Sequence, residues 1–514
     1  MYFKNRIAKP HPAAHLKEHK GVIMYFRKTK IVCTLGPATS DKKTIKKLIE
    51  SGMNVARLNF SHGDNDTFEK LIDIIRQLSD DVAILIDLPG PKIRTKKQLQ
   101  DKIILKKNED IILSNIKEFS DEKNIAIDYK YLAKDIKKGN LVFIDDGKIK
   151  LKVEAILSEN ELLCKIIKEG VLKTEKGVNF PNIKLSVPSV TDNDFKSLKF
   201  GVEHGADMFA VSFVRKPDDI AEVKDFLEKN YSGKKFFIIS KIEKVEAVEN
   251  IYKIAEISDG IMVARGDLGV ETPIETIALK QKMIIAAANN LKKPVITATQ
   301  MLESMVANES PTRAEVTDIT NAILDGTDAV MLSEETAIGH YPDLTTSYME
   351  KIIQTTEESY FFKNLRHNAY NNASKMDINA ADNTISFASA KMAVSSSFTI
   401  EDSFIAAITR TGYTATLISS FRPLVPIVAV VPDLSVKRRL ALNSGVFSIV
   451  MGEIAEKNVK IEDIIKFIKD NYERIRNKKF KSDNNFRYAI ITGGLPLGEP
   501  GSTDFARIID LQKY

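Results

Sequence analysis

One alternation of sequence patterns recurs from Thr29 to about Gly339 and constrains the fold of this 514-residue chain more than any other feature. Short, almost continuously apolar runs rich in β-branched residues alternate with stretches that have amphipathic-helix spacing. Such runs are typical of strands buried on both faces. Eight of them predict an α/β fold with a closed (β/α)8 TIM barrel, and an open doubly wound sheet is the alternative. The runs are Lys30–Thr34, Val55–Asn59, Val82–Asp87, Met208–Phe213, Phe236–Lys241, Gly260–Arg265, Pro294–Thr299 and Asp328–Ser333.

The alternation breaks once, between the third and fourth predicted strands. From about Thr95 to Leu185 the pattern is β-rich, with predicted turns at Asp146-Gly147 and Glu159-Asn160. We interpret this stretch as a small all-β domain inserted into a barrel loop. Predicted helix starts support the barrel on both sides of it, with Ser40 capping one helix and a capping box formed by Thr191 and Asp194.

The sequence therefore predicts four segments. Residues 1–27 form an N-terminal extension, in which Met24 is an alternative start. Within the C-terminal domain, a polar stretch at 363–382 is predicted to be a linker or surface loop. The remaining domains are a barrel catalytic domain at 28–94 and 186–357, an inserted β-barrel lid domain at 95–185, and a C-terminal α/β domain at 358–514.

Charge and cysteine content narrow the class of protein. The formal net charge of +6 is small for this length, so we expect no nucleic-acid partner, although a local basic cleft for phosphates is compatible with it. The chain has two cysteines far apart in sequence, which indicates a reducing, cytoplasmic environment. No apolar run approaches the roughly 20 residues of a membrane span, so we expect no membrane association.

Polar and charged side chains stand at the carboxyl ends of the predicted strands, where TIM barrels place their active sites. Lys241, Glu243 and Asp267 are the strongest candidates, and a stabilising ion-pair network is the alternative. The complete set is Arg57, Asn59, Ser61, Asp87, Ser212, Arg215, Lys241, Glu243, Arg265, Asp267, Thr299, Glu334 and Glu335.

These residue types favour a metal and phosphate centre. Lys241 and Glu243 are two apart and point the same way on a strand. Glu243 and Asp267 are suited to Mg²⁺ or Mn²⁺, which takes one or two carboxylates together with substrate oxygens and waters. Lys241 and Arg57 add positive charge for a phosphorylated substrate. Backbone amides around Gly266 can hold a carboxylate or a phosphate.

Several segments resemble the pyruvate kinase family, and the resemblance runs in order from about Lys28 to the C-terminus. They read TKIVCTLGP at 29–37, GMNVARLNFSHG at 52–63, GPKIR at 90–94, SKIE at 240–243, VARGDLGVE at 263–271, TATQMLESM at 297–305 and PTRAE at 311–315.

The resemblance implies transfer of phosphate from phosphoenolpyruvate to ADP, giving pyruvate and ATP. It implies that Glu243 and Asp267 bind the metal, that Lys241 stabilises the phosphoryl group in transit, and that Arg57 contacts phosphate. Gly266 would contact substrate, and Thr299 would lie beside the enolate face that is protonated, with the proton donor left open. The implied nucleotide-side residues are Asn59, His62, Arg94 and Lys176, the last of them on a lid that excludes water.

One departure from the family pattern bears on a monovalent cation. The family usually has a Lys where this chain has Pro89 and a Glu where it has Lys92, and it holds K⁺ near Asn59, Ser61 and Asp87. Lys92 alone supplies the single positive charge that Lys, Glu and K⁺ supply together elsewhere, and Leu88 fits a variant pattern too. We therefore hypothesise that no K⁺ is required. The alternative is that Lys92 is a surface lysine and the K⁺ site is intact.

Regulation and assembly are less constrained by the sequence. The residues Thr409, Arg410, Thr411, Gly412 and Thr414 match a loop that binds a phosphorylated effector in the family, with Gly498–Thr503 nearby; a strand–helix turn without ligand is equally compatible. The resemblance implies a homotetramer. Glu334 stands where the family usually has Gly. Two other functions stay open at this point: a metal-dependent lyase or aldolase, and a non-catalytic binding protein.

Overall fold

The computed structural model describes residues 27–100, 102–373, 384–400, 402–455, 459–479, 486–494 and 503–513. The predicted extension therefore lies outside the described residues except for Arg27. Eight parallel strands close into a barrel in which each strand pairs with its neighbours along the chain, which confirms the TIM barrel prediction. Barrel strands 1 to 8 are Lys30–Leu35, Val55–Asn59, Ala83–Asp87, Met208–Val211, Phe237–Ile242, Gly260–Ala264, Val295–Ala298 and Ala329–Leu332.

Helices follow the barrel strands on the outside. The first begins after Asp41, whose carboxylate accepts hydrogen bonds from the amides of Lys43 and Thr44, so the prediction of Ser40 as its cap is wrong. The capping box of Thr191 and Asp194 is confirmed. The helices of this region are Lys42–Glu50, Asn65–Leu78, Asp192–Glu203, Pro217–Asn230, Val245–Glu249, Ile251–Ile257, Arg265–Glu271, Ile277–Asn290, Arg313–Leu324, Glu334–Ala337, Pro342–Glu358 and Tyr360–Ala373, with 3₁₀ turns at Pro37–Thr39, Ile274–Thr276 and Glu303–Val306.

The segment between barrel strands 3 and 4 folds as a separate, mostly β domain with its own apolar core around Phe180 and Leu113. We call it the inserted domain. It holds a six-stranded and a two-stranded sheet, and one short helix, Leu132–Asp135. Its strands are Ile103–Leu105, Asp110–Ser114, Asn124–Ala126, Leu141–Ile144, Ile149–Ser158, Glu161–Lys168, Gly170–Leu172 and Val178–Asn179.

The C-terminal domain is a five-stranded α/β sheet whose last strand is antiparallel. The predicted linker at 363–382 is wrong as far as Ala373, because those residues continue the helix that begins at Tyr360, and 374–383 lies outside the described residues. The strands are Ser403–Ile408, Ile427–Val431, Val446–Val450, Tyr488–Gly493 and Phe505–Asp510; the helices are Thr384–Thr399, Tyr413–Ser420, Leu434–Arg439 and Ile461–Lys479, with 3₁₀ turns at Leu440–Leu442 and Gly452–Ala455.

The barrel interior is a packed apolar core rather than a pore. Inward-facing side chains of the strands, such as Leu85, Met262 and Met331, form one buried cluster, and Leu442 of the C-terminal domain joins it. The C-terminal domain therefore seals the amino-terminal end of the barrel, and the carboxyl end faces the inserted domain. Within the described residues, no helix has the length and apolarity needed to cross a membrane.

Candidate active site

Lys241 lies at the carboxyl end of barrel strand 5 and is the most heavily paired side chain of the site. Its Nζ is 2.9 Å from Glu243 Oε1 and 3.0 Å from Asp87 Oδ1, and it donates a hydrogen bond of 2.7 Å to Ser212 Oγ. Residues 241 and 243 share a side because successive strand residues alternate. Strands 3, 4 and 5 thus bring two carboxylates and a hydroxyl within hydrogen-bond distance of the Lys241 ammonium group.

Asp87 links this lysine to the predicted phosphate-binding arginine. Arg57, on barrel strand 2, donates from Nε to Asp87 Oδ2 at 2.7 Å and from Nη1 to Thr34 Oγ1 at 2.9 Å. Asp87 is 1% exposed, so its charge is tolerated only because both of its oxygens have cationic partners. The arrangement fixes Arg57 and Lys241 on either side of one carboxylate.

The electrostatics of the pair follow from this geometry. Burial alone lowers the pKa of Lys241, but the carboxylates of Asp87 and Glu243 outweigh it and raise the pKa well above the ordinary value. Burial alone raises the pKa of Asp87, and Lys241 and Arg57 reverse this and hold it below the ordinary value. Lys241 is therefore a fixed positive charge at neutral pH, which suits it to an anionic substrate rather than to proton abstraction.

Glu243 and Asp267 form the candidate metal site. Glu243 Oε2 accepts a hydrogen bond of 2.7 Å from the Phe213 amide, and Asp267 lies in the first turn of the helix Arg265–Glu271. Burial raises the pKa of Glu243, Lys241 partly offsets this, and the neighbouring charge of Asp267 adds to it. Two carboxylates that repel each other are what a hard divalent cation stabilises. Glu243 and Asp267 fit Mg²⁺, which takes one or two protein carboxylates and would complete its shell with substrate oxygens and waters.

Thr299 holds a strained backbone conformation at the carboxyl end of barrel strand 7. Its φ is 71°, which is rare for a β-branched residue, and that of Gln300 is 54°. The Thr299 hydroxyl accepts a hydrogen bond of 2.8 Å from the Gly266 amide, and its carbonyl accepts one of 2.6 Å from Arg265 Nη2. These bonds hold the threonine against the turn that carries Asp267. Strain of this kind concentrates at functional sites.

The predicted nucleotide-side residues lie in one positive field. His62 is exposed at the barrel mouth, and its pKa is lowered by partial desolvation and then by Lys92, Arg94, Arg57 and Lys176. Arg94 donates to the Glu175 carbonyl at 3.0 Å, and Lys176 Nζ is 3.5 Å from Asp145. Asn59 Oδ1 accepts from the Ser61 amide at 3.2 Å. The structure thus brings cations of the barrel and of the inserted domain together at the mouth of the barrel.

Comparisons with known proteins agree with this arrangement. Residues 26–346 match the family described as "Pyruvate kinase, barrel domain", and residues 388–509 match "Pyruvate kinase, alpha/beta domain". The chain is 41% identical over 491 residues to a pyruvate kinase of Thermococcus litoralis, with 94% of this chain and 98% of that protein covered. It is 40% identical over 488 residues to a pyruvate kinase of Staphylococcus saprophyticus, with 94% and 80% covered.

A solved structure gives the same result. A crystal structure of a pyruvate kinase from Cryptosporidium parvum superposes with a TM-score of 0.85 at 33% identity, covering 94% of this chain and 96% of that one. The chain belongs to the pyruvate kinase family. The resemblance found in the sequence is confirmed, and with it the assignment as a phosphotransferase of a family that generally uses Mg²⁺.

Three strand-end residues that the sequence placed at the site stabilise the surrounding structure instead. Arg215 donates to the carbonyls of Leu185 and Val187, each at 2.8 Å, and so binds the returning link of the inserted domain. Arg265 pairs with Asp318 at 2.6 Å. The buried Glu335 accepts from the amides of Leu302 and Ser333. Glu334, beside it, is exposed. A strand-end position indicates only that a polar group is near the mouth, not where it points.

The site also contains residues that sequence reasoning missed. Lys244, directly after the candidate metal ligand Glu243, pairs with Glu271, and both side chains are buried. Asn179 of the inserted domain contacts Glu271. A buried lysine next to a metal carboxylate leaves no periodic pattern, so the only sequence signal was its place in the segment SKIEK at 240–244.

The predicted effector loop lies between strand Ser403–Ile408 and helix Tyr413–Ser420. Gly412 has a φ of 94°, and its amide donates to Thr409 Oγ1 at 3.0 Å. Thr414 Oγ1 and Thr503 Oγ1 are 2.8 Å apart, so the loop meets the segment at 503. Residues 498–502 lie outside the described residues.

Proposed function

We propose that the chain catalyses Mg²⁺-dependent transfer of the phosphoryl group from phosphoenolpyruvate to ADP. The observation that carries this proposal is the buried group of Lys241, Glu243 and Asp87, in which an ammonium lies 2.9 and 3.0 Å from two carboxylates. Glu243 and Asp267 would hold the metal ion, which would supply positive charge to offset the negative charge of the phosphate. Mn²⁺ has the same ligand preference and is expected to substitute.

The proposed roles of the site residues follow from their positions. Lys241 and Arg57 hold fixed positive charge toward the transferring phosphoryl group, where negative charge develops in the transition state. The hydrogen bond from the Gly266 amide to the Thr299 hydroxyl would hold Thr299 beside the enolate. Because the Thr299 hydroxyl accepts from Gly266 and donates to the Ala298 carbonyl, we assign it an orienting role and route the enolate proton through water.

The nucleotide is proposed to bind between the barrel and the inserted domain. Asn59, His62 and Arg94 come from the barrel side and Lys176 from the inserted domain, and the field around His62 is positive. Closure of the inserted domain over ADP would exclude water, which otherwise competes as a phosphoryl acceptor. The inserted domain is thus proposed as a lid.

A coupled assay tests the reaction against the two other functions. Pyruvate formed from phosphoenolpyruvate only when ADP and Mg²⁺ are both present is the expected result. Pyruvate released without ADP would indicate a lyase, and no turnover by the folded protein would indicate a binding protein. The matched variants are Glu243→Gln, expected to lose metal-dependent activity, and Glu334→Gln, an exposed carboxylate expected to retain it.

We further propose that turnover does not require K⁺. The Leu88 side chain has no oxygen to offer a cation and is 1% exposed, and the Leu88 carbonyl accepts a hydrogen bond of 2.6 Å from Ser212 Oγ. Both oxygens of Asp87 face Arg57 and Lys241. Lys92, which is exposed, contributes to the positive field at His62 and lies beside Gly177. A charge fixed to the backbone does not need to be recruited from solvent.

The test compares steady-state activity in three buffers, whose monovalent cation is Na⁺, a bulky organic cation or K⁺. Wild type is expected to be equally active in all three. The triple variant Leu88→Thr, Pro89→Lys, Lys92→Glu restores the usual charges and is expected to become dependent on K⁺. A large loss of wild-type activity that only K⁺ restores would mean that Lys92 is a surface lysine and the usual site is intact.

Two finer proposals concern the C-terminal domain and assembly. The loop of Thr409, Arg410, Thr411, Gly412 and Thr414 is proposed to bind a phosphorylated effector, because hydroxyls and a left-handed glycine converge there beside Thr503. Thermal-shift measurements with sugar monophosphates and nucleotides test it: a shift that the Arg410→Ala variant loses supports the site, and no shift with any of them argues for a bare turn.

A homotetramer is proposed from the family and from exposed apolar side chains on the barrel. Leu279 and Met283 are four apart on the helix Ile277–Asn290 and 65% and 56% exposed, and Ile274 precedes them. Sedimentation analysis should give four copies for wild type and fewer for Leu279→Glu/Met283→Glu. Tyr252→Glu, at an exposed side chain on the helix Ile251–Ile257, serves as the control.

A further inference from the structure

A second buried ion pair lies directly behind the proposed metal carboxylates. Lys244 follows Glu243 in sequence, and Glu271 lies one helical turn after Asp267 at the end of the helix Arg265–Glu271. Lys244 Nζ and Glu271 Oε1 form an ion pair whose residues are 9% and 3% exposed. The two chain segments that carry the proposed metal ligands are therefore joined by a charge pair of their own.

The third member of this group comes from the inserted domain. Asn179 lies in the short strand Val178–Asn179, which pairs with Leu141–Ile144 of the inserted sheet. Its Nδ2 donates a hydrogen bond of 3.3 Å to Glu271 Oε1, the same oxygen that Lys244 contacts. One carboxylate oxygen thus receives a cation from the barrel and an amide from the inserted domain.

Lys244 is also linked to Glu243 indirectly, through Phe213. Its ammonium lies 5.7 Å from the centroid of the Phe213 ring, and the Phe213 amide donates to Glu243 Oε2 at 2.7 Å. Phe213 has a φ of 53°, so its neighbours must hold it in place. The cleft between the barrel and the inserted domain is lined by Lys244, Phe213, Asn179 and Asp267 together.

We propose that Lys244, Glu271 and Asn179 form a latch that couples the position of the inserted domain to the placement of Glu243 and Asp267. All three are positioning residues, because none of them is assigned to touch substrate. The proposal rests on the assignment of Glu243 and Asp267 as metal ligands. Its consequence is that metal binding and ADP binding depend on one another through this latch, while the Arg57 side of the site does not.

The first experiment removes the inserted domain's contact alone. In Asn179→Ala, the dissociation constant for Mn²⁺, followed by the electron spin resonance of the free ion, and the KM for ADP should both rise about three- to tenfold, in line with the loss of one ordinary hydrogen bond. The kcat at saturating ADP and Mg²⁺, and the KM for phosphoenolpyruvate, should stay within about twofold. Asn160→Ala, in a turn of the inserted domain, should change none of these constants.

A second pair of variants separates the latch from a general structural effect. Asn179→Asp sets a carboxylate against Glu271 and should weaken Mn²⁺ and ADP binding more than alanine does. Adding Glu271→Gln reverses donor and acceptor, leaves Lys244 a carboxylate partner at position 179, and should restore both constants toward wild type. Failure of the double variant to recover, with Tm values unchanged, would overturn the latch.

The proposed metal site is tested in the same series. If Glu243→Gln binds Mn²⁺ as tightly as wild type, the metal assignment is wrong, whatever Asn179 does. If Glu243→Gln weakens Mn²⁺ binding and Asn179→Ala leaves the Mn²⁺ and ADP constants within twofold, the metal site stands and the latch alone is wrong.

Discussion

Two buried networks of charged side chains lie at opposite ends of the same barrel and are built from the same residue types. The mouth network consists of Arg57, Asp87, Lys241, Glu243 and Asp267. The base network consists of Lys28, Asp328, Glu357, Arg366 and Arg422, where the C-terminal domain meets the amino-terminal strand ends. TIM barrels keep their chemistry at the first of these ends and their stability at the second, so the comparison shows what separates the two uses of a buried charge.

The base network satisfies its carboxylates completely. Arg422 pairs with both oxygens of Asp328, which also accept from the amides of Val295 and Ser444. Both Glu357 oxygens accept from backbone amides at the start of the first barrel strand, each at 2.7 Å. All four oxygens of Asp328 and Glu357 therefore accept hydrogen bonds from within the protein, which leaves neither carboxylate available to a ligand.

The balance of charge differs in sign between the two ends. The mouth network has two cations against three carboxylates, and the base network has three cations against two. The pKa directions follow: that of Lys241 is raised by its carboxylates, whereas burial lowers that of Lys28 to about 8, which Glu357 only partly offsets. The five residues of the mouth network thus carry one net negative charge that a metal ion can neutralise, and the base network carries one net positive charge.

The largest effect is expected from Lys241→Met at the mouth. Removing the fixed ammonium should lower kcat about a thousandfold, because charge developing on the phosphoryl group loses its stabilising partner. The ADP-dependent pyruvate assay at saturating substrates measures this. Circular dichroism should show an unchanged fold. Activity equal to wild type would remove Lys241 from its assigned role and reduce the mouth network to a stabilising one.

The complementary change at the base is Arg422→Met. It leaves Asp328 buried without its cation and should lower the free energy of unfolding by about 3 kcal/mol, while kcat per folded molecule stays near wild type. Urea denaturation of Lys241→Met and Arg422→Met side by side should show a large loss of stability only in the second. Arg422→Met/Asp328→Asn should recover part of the loss. A thousandfold fall in kcat for Arg422→Met would show that the two ends are not separable.

The contrast also explains what could be predicted from the sequence. Strand alternation gave the barrel and its carboxyl ends because period and hydrophobicity are local properties, and Lys241 with Glu243 followed from strand spacing. Arg215 and Arg265 were assigned to the site from the same rule, yet both turn toward backbone carbonyls. The base network was not predicted, because it joins Lys28 to Glu357 and Asp328 to Arg422 across long stretches of chain. Such pairings depend on packing of domains, which no local pattern encodes.

A pH series tests the positive excess at the base. The pKa of Lys28 is about 8 in the folded protein and near 10.5 ordinarily, so between these values the unfolded chain binds more protons and stability rises with pH. From pH 7.5 to 10, wild type should therefore gain about 1 to 3 kcal/mol of unfolding free energy relative to Lys28→Met. Urea denaturation at each pH measures this difference, with the exposed Lys42→Met as control. Parallel curves for wild type and Lys28→Met would mean that the base tolerates its charge without penalty.

The smallest expected effect concerns backbone strain, which both ends share. Thr299 at the mouth and Arg422 at the base have φ values of 71° and 57°. At the base the strain delivers a guanidinium to Asp328, whereas at the mouth it holds a hydroxyl against Gly266. Serine keeps that hydroxyl and tolerates the left-handed region better than a β-branched residue.

Thr299→Ser should therefore raise the unfolding free energy by about 0.5 kcal/mol and keep kcat within about threefold. Thr299→Val keeps the shape, leaves the Gly266 amide unpaired, and should lower both stability, by about 1 kcal/mol, and kcat. If valine matches serine in urea denaturation and in the pyruvate assay, the hydroxyl is not what this strain serves.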